Sequence, residues 1–263
     1  MVEANSSFPR SINEHFENIF QSSLVGHKRN PTEDSQTMLA LMESSGFNVV
    51  VTTPKEAIPD IPTVFVANHF IRPIYKRGRL PTTKDVIMTA AAIQHGISTF
   101  SNRDFKYVQT GQLTGKLFGI DCLDRKTQQA FLKVYDFIPA YEHKKDGAQT
   151  AVKIRGALKN NENVVIFPEG TEHLQTTDGI KFLSAPDKLR EFSDTLPRLI
   201  DFVKRWGFQV VPVSVFETGK KYNVLFHDPL TTSQMDEVIG KIGSPLPQRM
   251  HGYYKGRLPS LQH

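Results

Sequence analysis

Apolar residues recur at helical spacing over residues 11–25, where Ile12, Phe16, Ile19, Phe20 and Leu24 share one face. Ser11 and Glu14 form a capping box at its start, and Gly26 is placed to end it. Two readings of this helix stand. It packs on a core, or it lies on a membrane surface; its weak basic character argues against the second. A second helix is predicted over 32–44, with Pro31 at its start and Gly46 just past its end. Residues 47–52 then read as a strand, and Pro54, Pro59 and Pro62 mark the loop that follows.

From there strands and helices alternate. The run Thr63-Val64-Phe65-Val66-Ala67 is a strand, followed by a helix over 84–94 and a strand-like segment near Phe137. A helix over 147–160 leads into the apolar strand Val164-Val165-Ile166-Phe167. A helix over 196–207 and strands over 209–216 and 221–226 complete the pattern. Such alternation predicts an α/β fold, with a mixed, largely parallel sheet flanked by helices and preceded by an N-terminal helical segment. The expected division is a helical segment over 1–46, an α/β domain over 47–243 and an irregular tail over 244–263 rich in Pro, Gly and basic residues.

Composition narrows the function. A chain of 263 residues with a single cysteine, Cys122, buries a sizeable core without disulfides. No apolar run reaches the roughly 18–20 residues that span a bilayer, and residues 1–10 lack the pattern of a secretory signal. The expected location is therefore cytoplasmic, with peripheral membrane contact left open. The net charge of +5 reads either as a solvated basic surface or as attraction to anions such as phosphate esters, an acyl-carrier cofactor or anionic lipid. Nucleic acid is not an expected partner, because the basic residues are dispersed and no motif of a nucleic-acid-binding module occurs. No Cys/His spacing suits zinc, and no phosphate loop or Gly-x-Ser-x-Gly elbow occurs, so no metal is expected.

The candidate chemistry sits where strands stop. Two apolar strands end in polar residues, one in Asn68-His69 and the other in Pro168-Glu169-Gly170-Thr171-Glu172-His173. In α/β folds ligands gather at such ends, so the two segments predict one shared site. Read alone, a His at an element end is usually just a polar surface residue, and Pro-Glu-Gly-Thr also reads as a turn with a helix cap. His173 is either a second titrating group near the site or an exposed loop residue.

Asn68-His69, Ile138-Pro139, Phe167-Pro168-Glu169-Gly170-Thr171 and Val211-Pro212-Val213 resemble, in order and spacing, the glycerolipid acyltransferases. This is the family of glycerol-3-phosphate and lysophosphatidic acid (1-acylglycerol-3-phosphate) acyltransferases. The resemblance covers roughly residues 49–230. It implies transfer of a fatty acyl group from acyl-coenzyme A or acyl-carrier protein to a hydroxyl of glycerol-3-phosphate or lysophosphatidic acid in phospholipid synthesis. The donor is the expected partner, and no tightly bound cofactor is implied. His69 is then the general base that takes the proton of the attacking hydroxyl, and a carboxylate holds its imidazole. Asn68, Glu169, Gly170 and Thr171 are expected to bind substrate.

Two positions depart from the family pattern. The Asp expected five residues after the His is Ile74 here; the next Asp is Asp85, ahead of an apolar helix. Asp85 therefore has two compatible readings, as the orienting carboxylate after an insertion and as a helix-start residue. The inserted residues carry Arg72, Lys76, Arg77 and Arg79. The second departure is the missing phosphate-gripping Arg after Ile138-Pro139, where only Lys144 and Lys145 are basic. Lys144, Lys145, Arg72, Arg77 and Arg79 are the candidate substitutes; for the two lysines a solvated turn before a helix is the plain alternative. These departures keep two rivals in view. One is an acyltransferase with a non-phosphate acceptor; the other is an inactive protein that binds acyl thioesters or lipid.

Overall fold

The structure is a computed structural model that describes residues 10–54, 58–68, 83–110, 116–117, 120–121, 133–140, 144–168, 173–176, 179–182, 195–218 and 221–246. Chain order is α1 (Arg10–Leu24), α2 (Pro31–Ser44), β1 (Asn48–Thr52), β2 (Thr63–Ala67), α3 (Thr83–Ser98), β3 (Phe105–Thr110), β4 (Lys116–Leu117), β5 (Ile120–Asp121), β6 (Ile138–Ala140), α4 (Lys144–Lys159), β7 (Asn163–Ile166), β8 (His173–Thr176), β9 (Gly179–Phe182), α5 (Leu196–Arg205), β10 (Gln209–Thr218), β11 (Lys221–Phe226) and α6 (Met235–Gly243).

Seven strands form one sheet in the order β1-β11-β10-β2-β7-β3-β6. Every neighbouring pair is parallel except β10 with β11, which is antiparallel. The central strands carry near-continuous apolar runs because both faces of the sheet are covered. Pro212 lies inside β10, where a missing N–H would break a ladder. Its carbonyl accepts from the His227 N–H at 3.0 Å, just past the terminal β10–β11 pair Val213–Phe226, so the proline forfeits only the return bond at the end of that ladder.

The connection β2-α3-β3 crosses the sheet in one direction, and β6-α4-β7 crosses it in the other. With right-handed crossovers, these helices lie on opposite faces. On one face α3 packs against β1 and β11 and is covered in turn by α2, with α1 beside it. On the other, α4 packs against β6 and β7, while α5 and α6 pack against β10.

The N-terminal helices belong to this core. Ile12, Phe16 and Ile19 of α1, and Met38 and Met42 of α2, are buried in the same apolar cluster as the strands. The apolar face of α1 thus meets protein, which decides between its two readings. Helix α2 is capped by Asn30, whose side-chain oxygen accepts from the Thr32 N–H at 2.8 Å. A buried ion cluster fixes both helices. Asp34 accepts from Arg29 Nε and from the Tyr135 hydroxyl, each at 2.6 Å, and its carboxylate lies 3.9 Å from His15 Nε2. Burial lowers the His15 pKa against the pull of Asp34, so the imidazole is held toward neutrality.

Two asparagines lock β2 at its ends. At the start, the Asn163 side-chain oxygen accepts from the Thr63 N–H at 3.1 Å, and its amide nitrogen donates to Ser101 Oγ at 3.3 Å. At the other end Asn68 reaches across to β10.

Candidate active site

The parallel register sets the geometry of the sheet's C-terminal edge. Val66 pairs with Ile166, Ile166 with Val108, and Val108 with Ile138. Counting on two residues, Asn68, Pro168, Thr110 and Ala140 leave their strands at one level. Adjacent strands are about 4.8 Å apart, so the residues immediately before His69 and Glu169 are neighbours. Both βαβ units also begin their helices at this edge, α3 after β2 and α4 after β6. Two helix N-termini therefore lie on the side where the strands end, and helix N-termini favour negative charge.

Asn68 is the site residue the structure describes in full. It is completely buried. Its side-chain nitrogen donates to the Val215 carbonyl at 2.9 Å, and its side-chain oxygen accepts from the Val215 N–H at 2.7 Å. Val215 stands two residues beyond the last β2–β10 pair, Ala67–Val213. The Asn68 amide therefore acts as one more rung of the ladder after β2 has stopped. Both of its polar atoms are committed to backbone, which makes it a positioning residue for the chain entering His69. A substrate contact, as the resemblance implies, would have to be made beside these two bonds.

The other predicted residues divide by what is described. His69, Arg72, Arg77, Arg79, Glu169, Gly170 and Thr171 lie outside the described residues, as do Ile74 and Cys122. Asp85 falls in the first turn of α3, and its side chain lies outside the described set. Lys144 and Lys145 are the first residues of α4, so they begin the helix instead of forming a turn before it. His173 opens β8, the first strand of a hairpin with β9, and is not a loop residue.

Beneath the edge the packing is aromatic. Phe167 lies parallel to Tyr107, with centroids 6.3 Å apart. The Tyr107 hydroxyl donates to the Ala90 carbonyl at 2.6 Å, tying α3 to β3. Burial raises the Tyr107 pKa well above the usual tyrosine range, so this phenol stays neutral. Tyr107 supports this edge and Asn163 the opposite one, at the starts of β2 and β7, yet neither stood out in the sequence. Asn163 begins an apolar run, and a polar residue at the buried start of a strand is the signal that it has a fixed partner.

Among the described residues, no group of three or more His, Cys, Asp or Glu side chains could hold a metal ion, and no helix is long and apolar enough to cross a membrane. No protein-family model and no curated protein matches the sequence. Among solved structures, the chain is similar to the 1-acyl-sn-glycerophosphate (LPA) acyltransferase PlsC from Thermotoga maritima. The identity is 14% and the TM-score 0.46, over 89% of this chain and 92% of that one. A likeness of that size carries no inference about activity or substrate.

Proposed function

We propose that this chain is an O-acyltransferase that moves a fatty acyl group from an acyl thioester to the hydroxyl of a glycerol-phosphate-type acceptor. One observation carries the reading. The sheet register brings the residues just before His69 and just before Glu169 to adjacent positions on one edge, as a shared site built from the two polar strand ends requires.

The chemistry follows from the residue types. A hydroxyl is a poor nucleophile near neutral pH, so a base must remove its proton as it attacks the thioester carbonyl. His69 takes that proton and returns it to the departing thiolate; no covalent acyl-enzyme forms. Asp85 orients the imidazole, and its position in the first turn of α3 also suits the helix dipole. Glu169, Gly170 and Thr171 line the acceptor side. Lys144 and Lys145 carry a second supporting point. Cations in the first turn of a helix oppose its macrodipole at a cost of roughly 0.3–1 kcal/mol each, so their position is better explained by an anion bound there. Arg72 joins them in gripping the acceptor phosphate.

The missing Arg after Ile138-Pro139 favours one alternative, an acceptor without a phosphate. The deciding experiment is thiol release from palmitoyl-coenzyme A, with glycerol-3-phosphate, lysophosphatidate or a phosphate-free glycerolipid as acceptor. The expected result is acceptor-dependent release that disappears in His69→Ala. Release only with the phosphate-free acceptor selects the alternative. Thioester binding without turnover, unchanged by His69→Ala, rejects the enzymatic reading in favour of a binding protein.

A further inference from the structure

Beyond Lys144 and Lys145, the outer side of α4 and α5 carries none of the residues proposed above for acyl transfer. Along α4, Val152, Arg155 and Lys159 recur at i, i+3 and i+7, and along α5, Arg198, Phe202 and Arg205 recur at i, i+4 and i+7. Each set is a single stripe opposite the buried one, which comprises Ile154, Ala157 and Leu158 in α4 and Leu196, Ile200 and Val203 in α5. All six residues of the stripes are exposed. Val152 at 69% and Phe202 at 43% are among the most exposed large apolar side chains described.

Trp206 joins the two helices. Its ring stacks on Phe202 with centroids 6.0 Å apart, and the Arg155 guanidinium lies 5.5 Å from its ring centroid. None of the four stripe cations forms an ion pair with a described residue, and Asp201 is the sole carboxylate among the described side chains of the two helices. Four cations without an ion pair among the described residues thus surround an exposed apolar and aromatic strip.

We infer that this α4–α5 face docks on an anionic phospholipid surface, with Arg155, Lys159, Arg198 and Arg205 on the headgroups and Phe202, Trp206 and Val152 entering the boundary with the acyl chains. Charge complementarity alone would also admit an acidic protein. The apolar strip between long cations is what favours lipid, since stems of Arg and Lys lie along apolar surface while their heads reach phosphate. Location separates this face from the substrate entrance, and this step rests on the proposed active site. The Arg155–Trp206 contact sits at the C-terminal ends of both helices, next to the starts of β7 and β10. That is the sheet edge opposite Asn68 and Pro168, about 16 Å along α4 from Lys144 at 1.5 Å per residue. Contact here would anchor the protein and would not deliver substrate, which has to enter at the other edge.

Trp206 is the only tryptophan in the chain, so its fluorescence reports this face alone. The full-length protein is titrated with vesicles of phosphatidylcholine, with and without about 30% phosphatidylglycerol. The expected result is a blue shift and co-sedimentation with the anionic vesicles only, both weakened by salt. At roughly fivefold in partitioning per cation, Arg155→Ala with Arg205→Ala lowers binding about 25-fold, while the double Lys variant retains it. Arg10→Ala with Lys221→Ala, an equal change in net charge elsewhere, leaves binding near wild type. Absence of a blue shift with anionic vesicles overturns the inference, as does equal loss in the two double-Ala variants. A blue shift produced by an acidic carrier protein but not by vesicles assigns the face to a protein and also overturns it. None of these readouts needs turnover, so failure here is separate from failure of the acyltransferase reading.

Discussion

Replacing Asn68 with alanine tests whether the end of β2 is held by a side chain acting as backbone. In the native fold the Val215 N–H and C=O both face the Asn68 amide, at 2.7 and 2.9 Å, in a fully buried position. Alanine removes two hydrogen bonds, each of net worth about 1 kcal/mol, and leaves two buried backbone groups without partners at about 1–3 kcal/mol each. These figures overlap, because the penalty for an orphaned group includes the lost bond. The expected loss is therefore about 3–5 kcal/mol, within the upper range for single substitutions. Equilibrium urea unfolding followed by far-UV circular dichroism measures it.

Asn68→Asp separates this account from loss of volume. Aspartate keeps the shape and accepts from the Val215 N–H, but it sets a second acceptor against the Val215 carbonyl. It should be at least as destabilising as alanine, because it also buries a charge without a counter-ion. A loss below about 1 kcal/mol for Asn68→Ala, or an Asp variant as stable as wild type, would refute the reasoning. Water admitted to the gap would then be satisfying Val215 as well as the amide does.

Gly96→Ala would bring a Cβ to 2.2 Å from Phe226 Cε2 and 3.3 Å from Val51 Cγ1; Phe226 is wedged edge-on against Phe65 and Phe100, so a loss of about 1–3 kcal/mol in urea unfolding is expected. His227 has its pKa lowered to about 4, by burial first and by Lys241 second. An unfolded histidine at about 6.5 binds more protons than this one, so stability is full above about pH 6.5 and falls as the pH drops toward 4. His227→Asn should flatten that slope by about 1–2 kcal/mol, a figure discounted for partial exposure, as read from urea midpoints between these pH values. Asp85→Asn should lower kcat by about a hundredfold or more with little change in the thioester KM, and should shift the acid limb of the pH profile downward as the imidazole loses its carboxylate. Wild-type turnover in that variant removes Asp85 from the mechanism.

The elements legible in the sequence were those whose burial is written in one period. The strands around 64–67 and 164–167 carry unbroken apolar runs, and α1 carries one clean stripe. Apart from the short strand pairs β4–β5 and β8–β9, two elements were not legible. β3, Phe105–Thr110, sits between β7 and β6, yet it reads Phe-Lys-Tyr-Val-Gln-Thr and is flanked by polar residues on both sides. Its alternation is faint because Lys106 is held by Asp136 at 3.2 Å and by Glu162 at 3.9 Å, contacts that depend on the tertiary fold. α6, Met235–Gly243, buries Val238 and Ile242. Gly240 and Gly243 lower its helix propensity, and packing on β10 restores the helix. Ser214 donates to the Ile242 carbonyl at 2.6 Å and also meets His227 Nε2 at 2.8 Å, so α6 is stitched to both β10 and the end of β11.

The same distinction governs the candidate site. A motif names residue types at a spacing, which is enough to single out His69 and Glu169 but says nothing about their proximity. Proximity comes from register, and register is a property of paired strands. Asn68 shows what the motif leaves out. An Asn beside a His reads as a second polar group offered to substrate, because in sequence its amide has no visible partner. Its partner, Val215, lies 147 residues away on a strand that outruns β2. The amide is therefore spent on fixing the direction in which the chain leaves the sheet. Positioning a base within hydrogen-bond reach of a hydroxyl demands such a fixed departure more than it demands another polar contact. It follows that Asn68 variants folded under mild conditions should lose kcat together with stability. A variant that kept Val215 paired by another route would recover both.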